Sequence, residues 1–197
     1  MIAEAAPQRR PGRPPEDRLQ RQWEIYLAVS PLILEHGIRA LSMRQAASAA
    51  CLSVGGLYHY FADKSELALF GLRADVLATR CHQFHVEHDH LAASDPRAYF
   101  DAYVEFSIAG CAFVRPAVLA SLELGYEASR SRLEEAINAN NTELGDALRP
   151  LLAGEPTPAQ LSAIARQMRR MTFGAVLDRT ITDEDIRVGL HGLLTTR

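Results

Sequence analysis

Between Ser42 and Lys64 the chain gathers side chains suited to gripping a polyanion. Ser42 and Ser53 each stand where a helix can begin, and a helix N-terminus offers free backbone N–H groups and the positive end of its dipole to a phosphate. Arg44 lies in the first turn nearby, able to pair with a phosphate or a base edge or to remain a solvated surface arginine. Gly55 and Gly56 weaken an isolated helix, and their lack of bulk suits close approach of backbone to the major groove of a duplex. Tyr58 and His59 follow one turn later with a hydroxyl and an imidazole, both able to bond phosphate oxygens or base acceptors. Lys64 completes the set as a phosphate clamp. Leu57 and Phe61, four apart, are expected in a small core, and Tyr60 stays open between packing and contact.

A second group, Cys81-His82-Gln83-Phe84-His85-Val86-Glu87-His88-Asp89-His90, holds imidazoles and carboxylates at helical spacing and raises metal binding as a possibility. At about 100° per residue, His82, His85 and Asp89 fall within roughly 60° of one another, opposite Leu69, Val76, Leu77, Phe84 and Leu91. That places them on a solvated polar face, and no metal site is assigned.

The elements that position these groups are helical throughout, with no period-2 alternation that marks a sheet, so the expected fold is all-α. A first helix is expected from about Asp17 to Glu35, closed by Gly37 in the left-handed region, with a kink or break near Leu27 to Pro31. Ser42 and Gln45 have the spacing of a capping box and open a second helix. Cys51-Leu52-Ser53 makes a three-residue turn, and Val54 to Phe61 supplies a third helix. Asp63 with Glu66 starts a fourth helix expected to reach about Leu91. Further helices are expected from Pro96 to about Phe113, from Pro116, over Ser129 to Leu152, and as a closing pair, Pro158 to Arg179 and Asp183 to Leu194. Two short helices joined by a three-residue turn have the form of a DNA-binding helix-turn-helix, though spacing alone fits a structural hairpin equally well.

The residues decide between these. The stretch from Leu41 to Leu67, with its Gly56-Leu57-Tyr58-His59-Tyr60-Phe61-x-x-Lys64-x-x-Leu67 core, preceded by Gly12-Arg13-Pro14 and Gly37, resembles the N-terminal domain of the TetR (tetracycline-repressor) family. The resemblance implies an N-terminal half that binds palindromic operators and a C-terminal half that dimerises and senses a small molecule. It covers roughly residues 12 to 70; beyond that the chain is similar only in length and helical layout. Two positions depart from the family pattern: Cys51 stands where a glycine is usual in the turn, and Val54 where a polar or basic residue is usual.

The expected organisation is a flexible basic arm over 1–15, a helix-turn-helix domain over 16–62, and a helical effector-binding and dimerisation domain over 63–197. Charge follows this division. The net charge is −3, yet residues 1–65 carry eight Arg or Lys against six Asp or Glu, so the acidity belongs to the C-terminal part. Arg9, Arg10 and Arg13 lie in the arm and are available to a flanking minor groove or backbone. In the C-terminal part Phe84, Tyr103, Phe106, Ser107, Phe113, Leu122 and Tyr126 are the residues expected to line an effector pocket, with ordinary core packing as the alternative. Leu161, Ile164, Met168, Met171 and Ala175, with Ile186, Leu190 and Leu193, recur every three or four residues and are expected at the two-fold interface of a homodimer, or else inside the monomer.

Apolar residues make up 48% of the 197, enough for a buried core. No apolar run approaches the roughly 20 residues of a membrane span and the N-terminus lacks a secretory apolar segment, so no membrane association and a cytoplasmic location are expected. Three scattered cysteines fit a reducing compartment. There is no Gly-rich phosphate loop, nucleophile elbow or His-Glu-x-x-His set, so neither an enzyme nor a cofactor is expected. The reading is a homodimeric regulator, most simply a repressor, that binds double-stranded operator DNA and is released by an unidentified small-molecule effector. Its rivals are a constitutive DNA-binding regulator without an effector and a metal-responsive regulator using the His-rich segment.

Overall fold

The computed structural model describes residues 17–125, 130–131, 149, 152 and 155–195. The arm over 1–15, with Arg9, Arg10 and Arg13, lies outside the described residues, as do Tyr126 and nearly all of the helix expected over 129–152. Among the described residues the structure is helical and contains no strand.

Helix α1 (Arg18–Ala40) starts at Asp17, whose carboxylate accepts from the backbone N–H groups of Leu19 and Gln20 at 3.0 and 3.2 Å. Its buried stripe of Ile25, Tyr26, Val29 and Ile33 recurs every three or four residues and faces the core. The break expected near Leu27 to Pro31 is not there. Helical dihedrals run through Pro31 and fail only at Gly37, with φ 75° and ψ 164°. Leu27 and Pro31 both lie on the exposed side, where water can serve the carbonyl that Pro31 leaves without a donor. Gly37 does have the positive φ expected of it, though its ψ belongs to an extended region that only glycine visits readily.

Helix α2 (Met43–Ala49) carries the reciprocal capping box of Ser42 and Gln45, and α3 (Val54–Tyr60) is capped by Ser53, whose hydroxyl accepts from the Gly56 N–H at 3.0 Å. Between them Cys51 adopts φ 53°, the one non-glycine residue with positive φ among those described. A side chain in this region costs roughly 1 kcal/mol. Cys51 is exposed and free, so removing its thiol loses little packing. Cys51→Gly is therefore expected to raise the unfolding free energy by up to about 1 kcal/mol, seen as a higher urea midpoint at unchanged slope. A lower midpoint would count against strain in this turn.

The single fourth helix expected from Asp63 to Leu91 is three elements: α4 (Lys64–Ala68), a 3₁₀ turn (Phe70–Leu72) and α5 (Ala74–Ser94). The interruption turns Phe70 and Leu72 inward, and both are almost fully buried. Arg73, with φ −69° and ψ 133°, extends the chain before α5 begins. Conversely, the two helices expected around residue 115 are one. Helix α6 (Pro96–Leu124) runs 29 residues with Pro116 buried inside it. Pro116 frees the carbonyl of Ala112, an exposed residue that water can reach, and the next carbonyl, Phe113, accepts the Tyr26 hydroxyl at 2.9 Å. The proline thus opens the ladder where a side chain from α1 enters it.

Helix α6 is the axis of the molecule, with α1, α5, the 3₁₀ turn, α7 (Pro158–Leu177) and α8 (Asp183–Thr195) packed around it. It is also long and apolar enough to cross a membrane, contrary to the sequence expectation; its apolar length is that of a central core helix. Its C-terminal half, through Phe113, Ala117, Val118 and Ala120, joins the core built by α1 to α4. Its N-terminal half, through Tyr99, Phe100, Tyr103 and Ile108, joins a second core with α5, α7 and α8. Apolar packing therefore continues from the first four helices into the body without a gap at residue 62.

Candidate nucleic-acid interface

Helix α3 is held from behind and bare in front. Leu57 and Phe61 are fully buried, whereas Val54, Gly55, Tyr58 and His59 are exposed, with Val54 and Tyr58 at 40% and 51% despite their apolar surface. The two glycines separate in role. A Cβ on Gly55 would meet nothing within 4 Å among the described residues, so packing there does not require a glycine. A Cβ on Gly56 would lie 3.2 Å from the Ser53 Oγ, so its smallness serves the turn. The C-terminal carbonyls of α3 are tied to α1: Arg18 donates to the His59 carbonyl at 2.9 Å and the Gln22 amide to that of Tyr60 at 2.7 Å. Arg73 in turn donates to Gln22 Oε1 at 3.3 Å. The His59 ring lies edge-on to Tyr60 at 5.1 Å, and Tyr60 is half-buried.

Ser42 and Ser53 are exposed at the starts of α2 and α3, their hydroxyls engaged as caps, and Arg44 is exposed in the first turn of α2. Lys64 differs from the free clamp expected of it. Its ammonium donates to the Arg39 carbonyl at 3.2 Å, fastening the start of α4 to the end of α1.

The body departs further from expectation. Phe84, Tyr103 and Phe106 do meet, with centroids 4.8 to 6.0 Å apart. Ser107 is half-buried and donates to the Tyr103 carbonyl. Phe113 belongs to the other core, stacked on Trp23 at 4.7 Å, because α6 turns its apolar face toward α1 over this stretch. Leu122 is 55% exposed and lines nothing internal.

The apolar stripes of the closing helices face inward too. Leu161, Met168, Ala175, Ile186 and Leu190 are buried within the chain and have no area left for a partner, while Ile164, Met171 and Leu193 are partly buried against the same core. Amphipathic helices spend their apolar face on the nearest core, here the N-terminal half of α6. What α7 and α8 leave outside is Phe173, Leu177 and Val188, at 39%, 46% and 63% exposure.

The His-rich segment is also turned. His85 is half-buried with Nδ1 3.2 Å from the Tyr99 hydroxyl, and His88 stacks on Phe84 at 4.6 Å, so these two imidazoles edge an aromatic cluster instead of facing solvent. Among the described residues no three His, Cys, Asp or Glu side chains come close enough to share a metal.

Several residues that join the head to the body escaped the sequence reading. Glu123, near the end of α6, places its carboxylate against Gly37, where a Cβ would meet it at 2.5 Å, and accepts from the Arg39 N–H at 3.2 Å. The Arg39 guanidinium donates back to the Glu123 carbonyl at 2.8 Å. Tyr26 is the second tie; its burial raises the pKa of the phenol and keeps it a donor. The one available signal was the polar series Arg18, Gln22, Tyr26 at four-residue spacing along α1, of which Gln22 and Tyr26 are buried.

Comparison with known proteins agrees with this geometry. Residues 30–69 match the family model described as bacterial regulatory proteins, tetR family. Among solved structures, a Rhodococcus sp. protein assigned to the TetR-family transcriptional regulators superposes with TM-score 0.60 at 22% identity, over 88% of this chain and 95% of that one. PfmR of Thermus thermophilus, a TetR-family transcriptional regulator, gives 0.53 at 19% identity, over 88% and 99%. AibR, solved with isovaleryl coenzyme A and operator DNA, gives 0.51 at 18%, over 88% and 97%. No curated protein matches the sequence.

Proposed function

We propose that this chain, whose residues 30–69 match the model of the tetR family of bacterial regulatory proteins, is a homodimeric repressor releasing a palindromic operator when a small molecule binds its body. The observation that carries the reading is the face of α3. Tyr58, His59 and the open backbone at Gly55 point outward while Leu57 and Phe61 anchor the helix from behind. Such a helix can enter a major groove, its side chains reaching base edges and phosphates as Ser42, Arg44, Ser53 and Lys64 border the backbone. Arg13 and the basic arm would add contacts along the flanking groove.

Two-fold symmetry would set the two copies of α3 about 34–36 Å apart, one turn of the duplex. The second copy would pack on the exposed apolar face of α7 and α8 around Phe173, Leu177 and Val188. The ties from α6 to α1 at Tyr26 and Arg39 offer the route by which occupancy of the body alters the spacing of the heads. That one fold can hold both a ligand and an operator is supported by AibR. A regulator of this kind works beside the bacterial chromosome, in the cytoplasm.

Fluorescence anisotropy against DNA flanking the coding region, at two salt concentrations, tests the reading. Salt-sensitive saturable binding is expected, weakened at least about tenfold in the Tyr58→Ala, His59→Ala double variant, since each base or phosphate contact is worth about 1–3 kcal/mol. Equal binding by the folded double variant would remove α3 from the interface.

A further inference from the structure

Arg80, on α5, is a half-buried cation among aromatic rings. Its guanidinium lies 4.7 Å from the centroid of Phe113, 5.2 Å from Phe106 and 5.7 Å from Trp23. Gly110 of α6 faces the same group, with the place of its absent Cβ 3.9 Å from Nη2. Among the described residues no hydrogen bond or ion pair engages it. Burial depresses its pKa, and no carboxylate offsets that cost. Aromatic faces stabilise a guanidinium in part, but they accept none of its five N–H donors. The other large cations that touch core elements behave differently. Arg39, Arg73 and Arg115 all donate to backbone carbonyls or side-chain oxygens, whereas among the described residues no acceptor meets Arg80.

We propose that Arg80 is the charge-recognition residue of the effector site, and that the effector is an organic carboxylate whose anionic end meets the guanidinium between α1, α5 and α6 while its apolar body lies against Trp23, Phe106 and Phe113. A carboxylate fits because two oxygens can take two parallel N–H donors in the plane of the guanidinium, leaving its faces to the rings. The site also touches what must move. Trp23 belongs to α1 and stacks on Phe113 of α6 at 4.7 Å, so a ligand that draws Arg80 toward itself changes the contact between head and body. This inference rests on the reading that the body binds an effector, and it names the chemical class.

Trp23 is the only tryptophan in the chain, so its emission reports on this site directly. Full-length protein would be titrated with benzoate, 4-phenylbutyrate and octanoate, each beside its amide, in the wild type, Arg80→Met and Arg80→Lys. The expected result is a saturable change in Trp23 emission with at least one acid, binding roughly ten- to a hundredfold weaker for its amide and for Arg80→Met, with partial retention in Arg80→Lys. Equal response to acid and amide, an unchanged response in Arg80→Met, or no response to any acid at millimolar concentration would overturn the assignment. Should Arg80→Met fail to fold by circular dichroism, the acid-against-amide comparison in the wild type decides alone. Operator binding without ligand is measured in parallel. Its failure would overturn the regulator reading and leave the carboxylate site standing, whereas a normal operator titration with no acid response would do the reverse.

Discussion

Phe61→Ala is expected to destabilise the head by about 3–5 kcal/mol, the usual cost of deleting a large aromatic from a closed core. Phe61 has no exposed surface, ends α3 with an extended backbone, and packs edge-to-face on Phe70 with centroids 5.7 Å apart. Phe70 in turn lies 5.5 Å from Tyr26. Losing Phe61 therefore frees α3 and unsupports the 3₁₀ turn that leads into α5. Chemical denaturation followed by circular dichroism should show the early loss of helical signal, and operator binding should fall because α3 is no longer held. The contrast with the Tyr58→Ala, His59→Ala double variant is diagnostic, since those side chains are exposed and their loss should leave the denaturation midpoint nearly unchanged. A midpoint for Phe61→Ala within about 1 kcal/mol of the wild type would show that the core around α3 can collapse into the gap.

Gly71→Ala carries the second large effect, of about 2–6 kcal/mol. A methyl group there would lie 2.5 Å from the Tyr26 hydroxyl and 3.3 Å from the Phe113 carbonyl oxygen, the two atoms whose hydrogen bond joins α1 to α6 beside Pro116. Tyr26 is fully buried and cannot swing into solvent, so the added methyl must push the ring or the turn. Overpacking costs about 1–3 kcal/mol, and a buried hydroxyl and carbonyl left unpaired cost about 1–3 kcal/mol more. Tyr26→Phe separates the parts. It removes the hydroxyl, relieves the clash and sacrifices only the bond, so the double variant Gly71→Ala, Tyr26→Phe should be more stable than Gly71→Ala alone. A double variant whose loss equals the sum of the two singles would mean that the hydroxyl is not what the methyl meets.

The all-α class, the caps at Ser42, Ser53 and Asp63, and the positive φ of Gly37 were legible because each depends on residues within a few positions of one another. The exposed face of α3 was legible for the same reason. Leu57 and Phe61 lie one turn apart and point inward, which leaves Tyr58 and His59 outside whatever the rest of the chain does.

Where the sequence reading missed, the deciding partner was distant in the chain. Pro31 and Pro116 read locally as helix breaks, but in both cases the carbonyl left without a donor, that of Leu27 and that of Ala112, belongs to an exposed residue that water can serve, and both helices continue. The run from Asp63 to Leu91 read as one helix, yet burying Phe70 and Leu72 under α1 favoured a turn. The stripes on α7 and α8 were rightly seen as apolar, but periodicity says that a face is buried and not against which chain. Arg80 had no signal at all among 21 lysines and arginines. Local propensity and side-chain periodicity act over one or two helical turns, so the sequence alone determined the helices' starts and the exposed face of α3; which helix shares which core, and that Arg80 lies among Trp23, Phe106 and Phe113, depends on contacts between residues tens of positions apart, and only the tertiary structure decided those.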